Sequence, residues 1–211
     1  ALTDKVAPSH LTYARYRAIE FLKPELRARY RNAVHIAQSL ADIYRVHMVK
    51  RLESSFYAFK KSLQTLLRIT SDMIKMFEED KVIIAPDLNI KGLQARGMEL
   101  DEMLDYVCEH GYSKSDVLYR AEDFDPKFLE MLKSDQTLLK YLNDRWSEQK
   151  EDPKLELFVE RLDTFISNDI NPTGKLVVFS ESVDTVNYLY GHLTETLGRK
   201  DVIRVTAANR N

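Results

Sequence analysis

Residues 52–77, LESSFYAFKKSLQTLLRITSDMIKMF, carry the strongest structural signal in this 211-residue chain. Within them, a series of mostly apolar residues recurs at alternating spacings of four and three, the period of one face of an α-helix. The series is Leu52, Phe56, Phe59, Leu63, Leu66, Thr70, Met73 and Phe77. The pattern predicts a long amphipathic helix that buries this face.

A similar series precedes it and predicts another helix. Its members are Leu26, Tyr30, Ala33, Ala37, Leu40, Tyr44 and His47. The step from His47 to Leu52 is five residues, so the two faces are out of register. We therefore predict two helices that meet near residues 48–54, where Ser54 and Ser55 are candidates to cap the second. No glycine precedes position 92, which also favours helix in this part of the chain. Residues 9–23 are ambiguous between helix and strand.

Shorter helices are predicted in the middle of the chain. After an extended connector at residues 82–85, a helix over residues 100–107 ends at Gly111, and Ser113 begins the next. Asp125-Pro126 is typical of a helix start. The apolar positions that follow it are Leu129, Leu132, Leu138, Leu139, Leu142 and Trp146. The wholly polar residues 147–152 predict a domain boundary.

Beyond this boundary the pattern predicts alternating helix and strand. Asp152-Pro153 begins a helix, and Asn171-Pro172-Thr173-Gly174 is turn chemistry. The buried face of that helix is predicted to be Leu155, Phe158, Val159, Leu162, Phe165 and Ile166. Residues 175–180 and 202–205 read as strands around a helix capped by Ser182, with Val186, Leu189, Leu193 and Leu197 inward and Gly198 at its end. Together they predict a parallel βαβ unit.

The predicted fold class is therefore mainly α, a long-helix hairpin or bundle followed by a truncated α/β unit. The predicted domains are residues 1–150 and 151–211. Because two parallel strands do not make a stable sheet alone, we expect the chain to be part of a larger protein.

Composition excludes several classes of protein. The single cysteine, Cys108, cannot form an internal disulfide, and no Cys/His cluster has zinc spacing. No apolar run is long enough to span a membrane, and residues 1–5 carry no signal-peptide pattern. A reducing cytoplasm is the expected setting.

Charge is segregated along the chain. Residues 1–75 hold 14 Lys/Arg and 6 Asp/Glu, whereas residues 76–163 hold 12 and 22. The basic segment is suited to polyanions, or it lies against the acidic segment. Arginines also interleave with Tyr13, Tyr16, Tyr30 and Tyr44, as in nucleic-acid-binding surfaces and equally as on ordinary amphipathic helices.

No catalytic or nucleotide-binding motif is present. The sequence lacks G-x-x-x-x-G-K-[ST], G-x-G-x-x-G, G-x-S-x-G and H-E-x-x-H. The five histidines are scattered, so no metal site is predicted. His47 lies on the apolar face of the first predicted helix and is therefore predicted to be a core or interface residue. Cys108 is predicted to be a buried, inert thiol.

Two stretches resemble superfamily-two helicases. Asp152-Pro153-Lys154-Leu155, followed by Lys175-Leu176-Val177-Val178-Phe179-Ser180 and Thr185, resembles the entry to the second RecA-like lobe. Upstream, the run K-R-L-E-S-S at residues 50–55 with Ala58-Phe59 resembles a signature of the Swi/Snf-like bacterial branch, near the end of the first lobe. The resemblance implies the tail of lobe one, a helical insertion over roughly residues 55–150, and the start of lobe two.

The resemblance implies a parent enzyme that couples ATP hydrolysis to movement along nucleic acid, favouring DNA over RNA. The family's nucleotide-binding loop, acidic Mg²⁺ motif and late arginine motif are absent, so ATP and Mg²⁺ are implied only for the parent, and we expect this chain alone to be inactive. Its implied partners are nucleic acid, the remaining ATPase lobes and a protein bound through the insertion; no membrane is implied.

By this resemblance, the candidate nucleic-acid-binding residues are Lys50, Arg51, Ser180 and Thr185. Two alternatives remain open. The hydroxyls of the Ser180 segment could simply cap a helix, and Lys50 and Arg51 could pair with Glu53 or with the acidic segment. A helical adaptor that self-associates through residues 26–77 is the alternative function. A small-molecule enzyme has the least support, because no catalytic constellation is present.

Overall fold

The computed structural model describes residues 10–28, 30, 33–84, 117–167 and 169–206, and this part of the chain is mainly helical. It begins with a 3₁₀ helix, Ala14–Phe21. The α-helices are α1 (Pro24–Arg27), α2 (Ala33–Ser54), α3 (Phe56–Glu78), α4 (Pro126–Glu148), α5 (Pro153–Phe165) and α6 (Val183–Gly191). The strands are β1 (Val82–Ile84) and β2 (Val117–Tyr119). A 3₁₀ turn, Ala121–Asp123, precedes α4, and a π-helical turn, His192–Thr196, continues α6.

The predicted break between two long helices is confirmed at Ser55. This residue alone has extended backbone angles between α2 and α3, and its hydroxyl accepts a hydrogen bond from Ala58 N–H at 3.1 Å. Such an N-cap satisfies one of the unpaired amides of the first turn. The start of the first helix was predicted wrongly: helix α1 ends at Arg27 and α2 begins only at Ala33. A turn in which Tyr30 N–H donates to Arg27 C=O separates them.

Helix α3 lies at the centre of the helical body and packs against α4 and α2. The 3₁₀ helix packs on α2 and α4. One core cluster joins it to α3, the strands and the start of α4, and Phe128 stacks there on Phe21 and Phe124, with centroids 5.0 and 5.5 Å away. A second cluster joins α2, α3 and α4 around the buried Tyr44. We call residues 10–148 of the described chain the bundle.

A buried carboxylate fixes the N-terminal segment on the bundle. Asp135 of α4 is 3% exposed and accepts hydrogen bonds from Thr12 N–H, Thr12 Oγ1–H and Ala14 N–H at 2.7, 2.9 and 3.0 Å. These bonds cap the 3₁₀ helix from a residue more than 120 positions away in the sequence.

The extended connector predicted at residues 82–85 forms strand β1, which pairs antiparallel with β2. The register places Val82 opposite Tyr119 and Ile84 opposite Val117. The helices predicted over residues 100–107 and from Ser113, together with Cys108, lie wholly or partly outside the described residues. The latter helix does not extend over Val117–Tyr119, because these residues pair with β1 instead.

The helix starts at Asp125-Pro126 and Asp152-Pro153 are confirmed. Each aspartate accepts a backbone amide hydrogen bond in the first turn, from Lys127 and Leu155. The predicted buried face of α5 is wrong, because Leu162 is its one buried apolar residue and Phe165 is 40% exposed. Similarly, Leu193 is buried beyond α6 but Leu197 is exposed.

The predicted strands at residues 175–180 and 202–205 do not form in the described part of the chain. Both segments lack a ladder partner there, and a strand exists only where a neighbour supplies hydrogen bonds. The predicted Asn171–Gly174 turn is confirmed by a bond from Gly174 N–H to Asn171 C=O at 2.9 Å. Gly174 and Gly198 both have positive φ, which glycine adopts without steric cost.

Candidate functional site

The four candidate residues from the sequence lie close together, at the break between α2 and α3. Ser54 Oγ is 2.7 Å from Thr185 Oγ1 and 3.3 Å from Ser180 Oγ. Ser55 Oγ is 2.8 Å from Thr185 Oγ1. Lys50 Nζ lies 3.2 Å from a Glu181 carboxylate oxygen. Residues 50–55 and 180–185, with Lys61 and Ser62, are called the junction cluster below.

Arg51 is the central residue of the junction cluster and is only 2% exposed. Its Nε donates to Ser62 Oγ at 2.9 Å, and its Nη1 donates to Ser182 Oγ at 2.6 Å. Its Nη2 forms an ion pair with Asp184. Each nitrogen of the guanidinium therefore has a partner, as a buried charge requires. In this arrangement Arg51 is not accessible to a phosphate.

Asp184 links Arg51 to a more exposed cation. Its Oδ1 lies 2.7 Å from Lys61 Nζ, and the Lys61 side chain is 52% exposed. The hydrogen bond to the Asp184 carboxylate raises the pKa of Lys61 above its ordinary value, because it favours the charged form of the lysine. The two cations and the carboxylate form one network across α2, α3 and α6.

These side chains meet because several helices begin or end at the junction cluster. Ser182 caps α6 by accepting from Thr185 N–H at 3.3 Å, and Ser180 Oγ accepts from Ser182 N–H at 3.1 Å. Lys154, in the first turn of α5, donates to Glu53 C=O and to Ser54 C=O at 2.6 and 3.2 Å. These carbonyls are the unpaired acceptors at the C-terminus of α2, where a cation is favoured.

An aromatic pair adjoins the junction cluster. Tyr57 and Tyr188 stack with ring centroids 4.8 Å apart and an interplanar angle of 3°. Burial, and then the negative charge of nearby Asp152, raise the pKa of Tyr188. Lys61 Nζ lies 5.8 Å from the centre of the Tyr57 ring, within range of a cation–π contact.

The sequence predicted four members of this cluster but missed others. Ser182 was identified only as a helix cap, and Lys61, Ser62 and Asp184 were not identified at all. Within the described part of the chain, Arg51 pairs with Asp184, which is neither Glu53 nor a member of the acidic middle segment considered from the sequence. An acidic residue in the first turn of α6 was the available signal, but nothing in the spacing joined it to Arg51.

The tyrosines interleaved with arginines have a different environment. Tyr13 and Tyr44 are buried in the second core cluster, and Tyr16 stacks on Tyr44 with centroids 5.0 Å apart. The Tyr30 hydroxyl is 2.6 Å from the Tyr119 hydroxyl. Their rings pack within the bundle and are not arranged as a platform for nucleic-acid bases. His47, predicted to be a core or interface residue, is partly buried, and its ring packs against Tyr44.

Chemically, the junction cluster is suited to holding helix ends and to presenting lysines. It contains hydroxyls, cations and carboxylates but no histidine or cysteine. Over the described ranges, no group of three or more His, Cys, Asp or Glu side chains is placed to hold a metal ion. Nor does any helix in those ranges have the length and hydropathy of a membrane span.

Comparisons with protein-family models, with curated proteins and with solved structures found no match to this chain.

Proposed function

We propose that this chain is the inter-lobe part of an ATP-dependent nucleic-acid helicase or translocase of the superfamily-two, Swi/Snf-like bacterial branch, acting on DNA. The observation that carries the proposal is the contact between the two motifs on which the resemblance rests. Residues 50–55 and 180–185 are about 130 positions apart in the sequence, yet Arg51, Ser54 and Ser55 bond directly to Ser182, Asp184 and Thr185.

The exposed segments near the C-terminus give further support for a RecA-like second lobe. The exposed fractions of Leu176, Val177, Val178 and Phe179 are 40, 71, 49 and 91%. Side chains on both sides of this segment are therefore exposed to solvent. Ile203 in the second segment is 88% exposed. Consecutive apolar residues are typical of a strand buried on both faces of a parallel sheet. We propose that these segments pair with further strands of the lobe.

In this proposal, the exposed lysines contact the phosphate backbone. Lys50 and Lys61 have side chains that are 58 and 52% exposed, and such cations give sequence-independent, salt-sensitive binding. Ser180 and Thr185 lie beside them at the N-terminus of α6, where hydroxyls and amides suit phosphate oxygens. Arg51 holds this helix end in place through its bonds to Ser182 and Asp184. ATP and Mg²⁺ bind residues outside this chain, which we expect to have no ATPase activity alone.

The test is fluorescence anisotropy with single-stranded and double-stranded DNA over a salt series. We expect weak binding that falls steeply with salt and does not depend on sequence. Lys50→Ala should lower the affinity and reduce the slope of log K against log salt by about 0.7–0.9. Lys140→Ala, an exposed lysine of α4 outside the cluster, is the matched control. An unchanged slope for Lys50→Ala, or no binding at low salt, would contradict the proposed contact.

A helical adaptor is the second candidate function. The predicted series over residues 52–77 is largely buried within the bundle, so it is not free for self-association. What favours an adaptor is a row on α2 that ends at the first, exposed member of that series: Ile43, Val46, Val49 and Leu52 are 44, 58, 54 and 36% exposed. Sedimentation velocity at several concentrations tests it, and a strict monomer at high concentration removes the self-associating form.

A further inference from the structure

The C-terminal part of the chain contributes little to the apolar core. The members of both core clusters, and the residues packed on them, all lie at or before Trp146. In the described stretch after residue 149, the buried residues are two apolar and two polar: Leu162, Leu193, Asp152 and Ser182. Apolar burial, the main stabilising contribution in a folded domain, is therefore concentrated in the bundle.

Among the described residues, the side-chain contacts that attach residues 150–206 to the bundle are mostly polar. Those described above fall on residues 50–62 of the bundle, a stretch that amounts to between three and four helical turns in all and contains Ser55. They comprise the pairs of Lys50 and Lys61, the two bonds of Arg51 to Ser182 and Asp184, and the hydroxyl contacts of Thr185. Lys154 and the stacked Tyr57–Tyr188 pair complete the attachment.

From this arrangement we infer that residues 150–206 form a detachable unit, held on the bundle by the junction cluster, and that the unit opens as a whole while the bundle stays folded. The inference goes beyond the proposed function and does not require nucleic acid. The physical reason is the kind of contact involved. When a polar surface opens, its hydrogen bonds and ion pairs are replaced by bonds to water, so their net contribution to stability is modest. Opening the apolar core of the bundle would expose apolar surface to water, and no interaction with water compensates for that loss.

The Arg51–Asp184 pair is the central contact of the closed state. Arg51 is almost fully buried and Asp184 is 20% exposed. Each of them also bonds to further residues of the junction cluster. The outer Lys50–Glu181 pair is exposed on both sides, at 58 and 82%, and salt screens it. We therefore expect salt to favour opening moderately and the loss of the Asp184 charge to favour it strongly.

The experiment is hydrogen exchange, followed by mass spectrometry, on the full chain. Peptides covering residues 183–196 should exchange faster than those covering 56–78 and 126–148, and faster still as salt is raised. Asp184→Asn keeps the shape of the side chain and removes its charge. We expect it to accelerate exchange over residues 183–196 by about 10- to 100-fold and to leave residues 56–78 unchanged. Asp42→Asn, at an exposed ion pair with Arg45 on α2, is the matched control.

A cross-linked variant tests the same opening without weakening the closed state. Ser54→Cys and Thr185→Cys, in a Cys108→Ser background, place two thiols where the native oxygens are 2.7 Å apart. Oxidation by oxidised glutathione should form a disulfide and slow exchange over residues 183–196 at least tenfold relative to the reduced form. Failure to form it, unchanged exchange after oxidation, or equal acceleration of the bundle in Asp184→Asn would overturn the inference.

Discussion

Removal of the Asp135 carboxylate is expected to destabilise the bundle strongly. Asp135 accepts three hydrogen bonds from Thr12 and Ala14 at 2.7–3.0 Å and is 3% exposed. Asp135→Ala leaves the amides of Thr12 and Ala14 without this acceptor and opens a small cavity against α4. Each hydrogen bond to a charged group contributes about 1.5–3 kcal/mol net.

The three contributions do not add fully, because they share one carboxylate whose own burial is costly. We therefore expect Asp135→Ala to lower the free energy of unfolding by about 3 kcal/mol. For a chain of this length that corresponds to a fall in Tm of about 6–12 °C. Asp135→Asn retains one acceptor oxygen but turns an amide donor towards the same N–H groups, so it should restore only part of the loss.

The assay is urea and thermal unfolding followed by circular dichroism. Asp144→Ala, at an exposed carboxylate of the same helix, controls for the change in charge and helix propensity. A loss for Asp135→Ala within about 1 kcal/mol of that control would refute the reasoning, since it would mean that the three bonds contribute no more than ordinary surface contacts.

Two further predictions concern exposed sites. The hydrogen bond from Ala121 N–H, and then the Arg120 guanidinium, lower the pKa of Asp80. The ionised Asp80 carboxylate therefore stabilises the fold above the pKa of an unfolded aspartate, about 3.9, and this contribution is lost as the pH falls through the lower pKa of the folded state. Carboxyl NMR titration should give a midpoint below the unfolded value, and Arg120→Gln should move it only part of the way back, whereas a complete return would contradict the role of Ala121. Phe179 is 91% exposed, so Phe179→Ser should change the free energy of unfolding by less than about 0.5 kcal/mol while reducing the binding of the apolar dye ANS. A urea-unfolding loss above about 1 kcal/mol would mean that Phe179 is buried in solution.

Local signals predicted several of the helix boundaries. The change of register after His47 indicated a break that occurs at Ser55, and the Asp-Pro pairs at residues 125–126 and 152–153 begin helices as predicted. Each of these signals acts through groups within about four residues of one another, such as a cap and the amide it accepts. The same reasoning failed for α5, because a periodic apolar face indicates which residues suit burial, not whether another element covers them.

For the candidate site, the resemblance brought forward Lys50, Arg51, Ser180 and Thr185, and the structure brings all four together. Their roles differ, because Arg51 is buried against Ser182 and Asp184 while Lys50 stays exposed. Residue type and spacing do not distinguish a cation that faces solvent from one that closes an interface. That distinction needs the position of the partner helix.

The sequence by itself therefore determined those helix ends that a cap, an Asp-Pro pair or a change of register marks, since these signals are short-range properties of the chain. Tertiary structure alone decided which charges pair and which apolar runs are covered. The Arg51–Asp184 pair joins residues 133 positions apart, and residues 176–179 are apolar on both faces without a strand beside them in the described part of the chain. Both outcomes depend on the three-dimensional arrangement of distant segments, which the local backbone preferences of the chain do not encode.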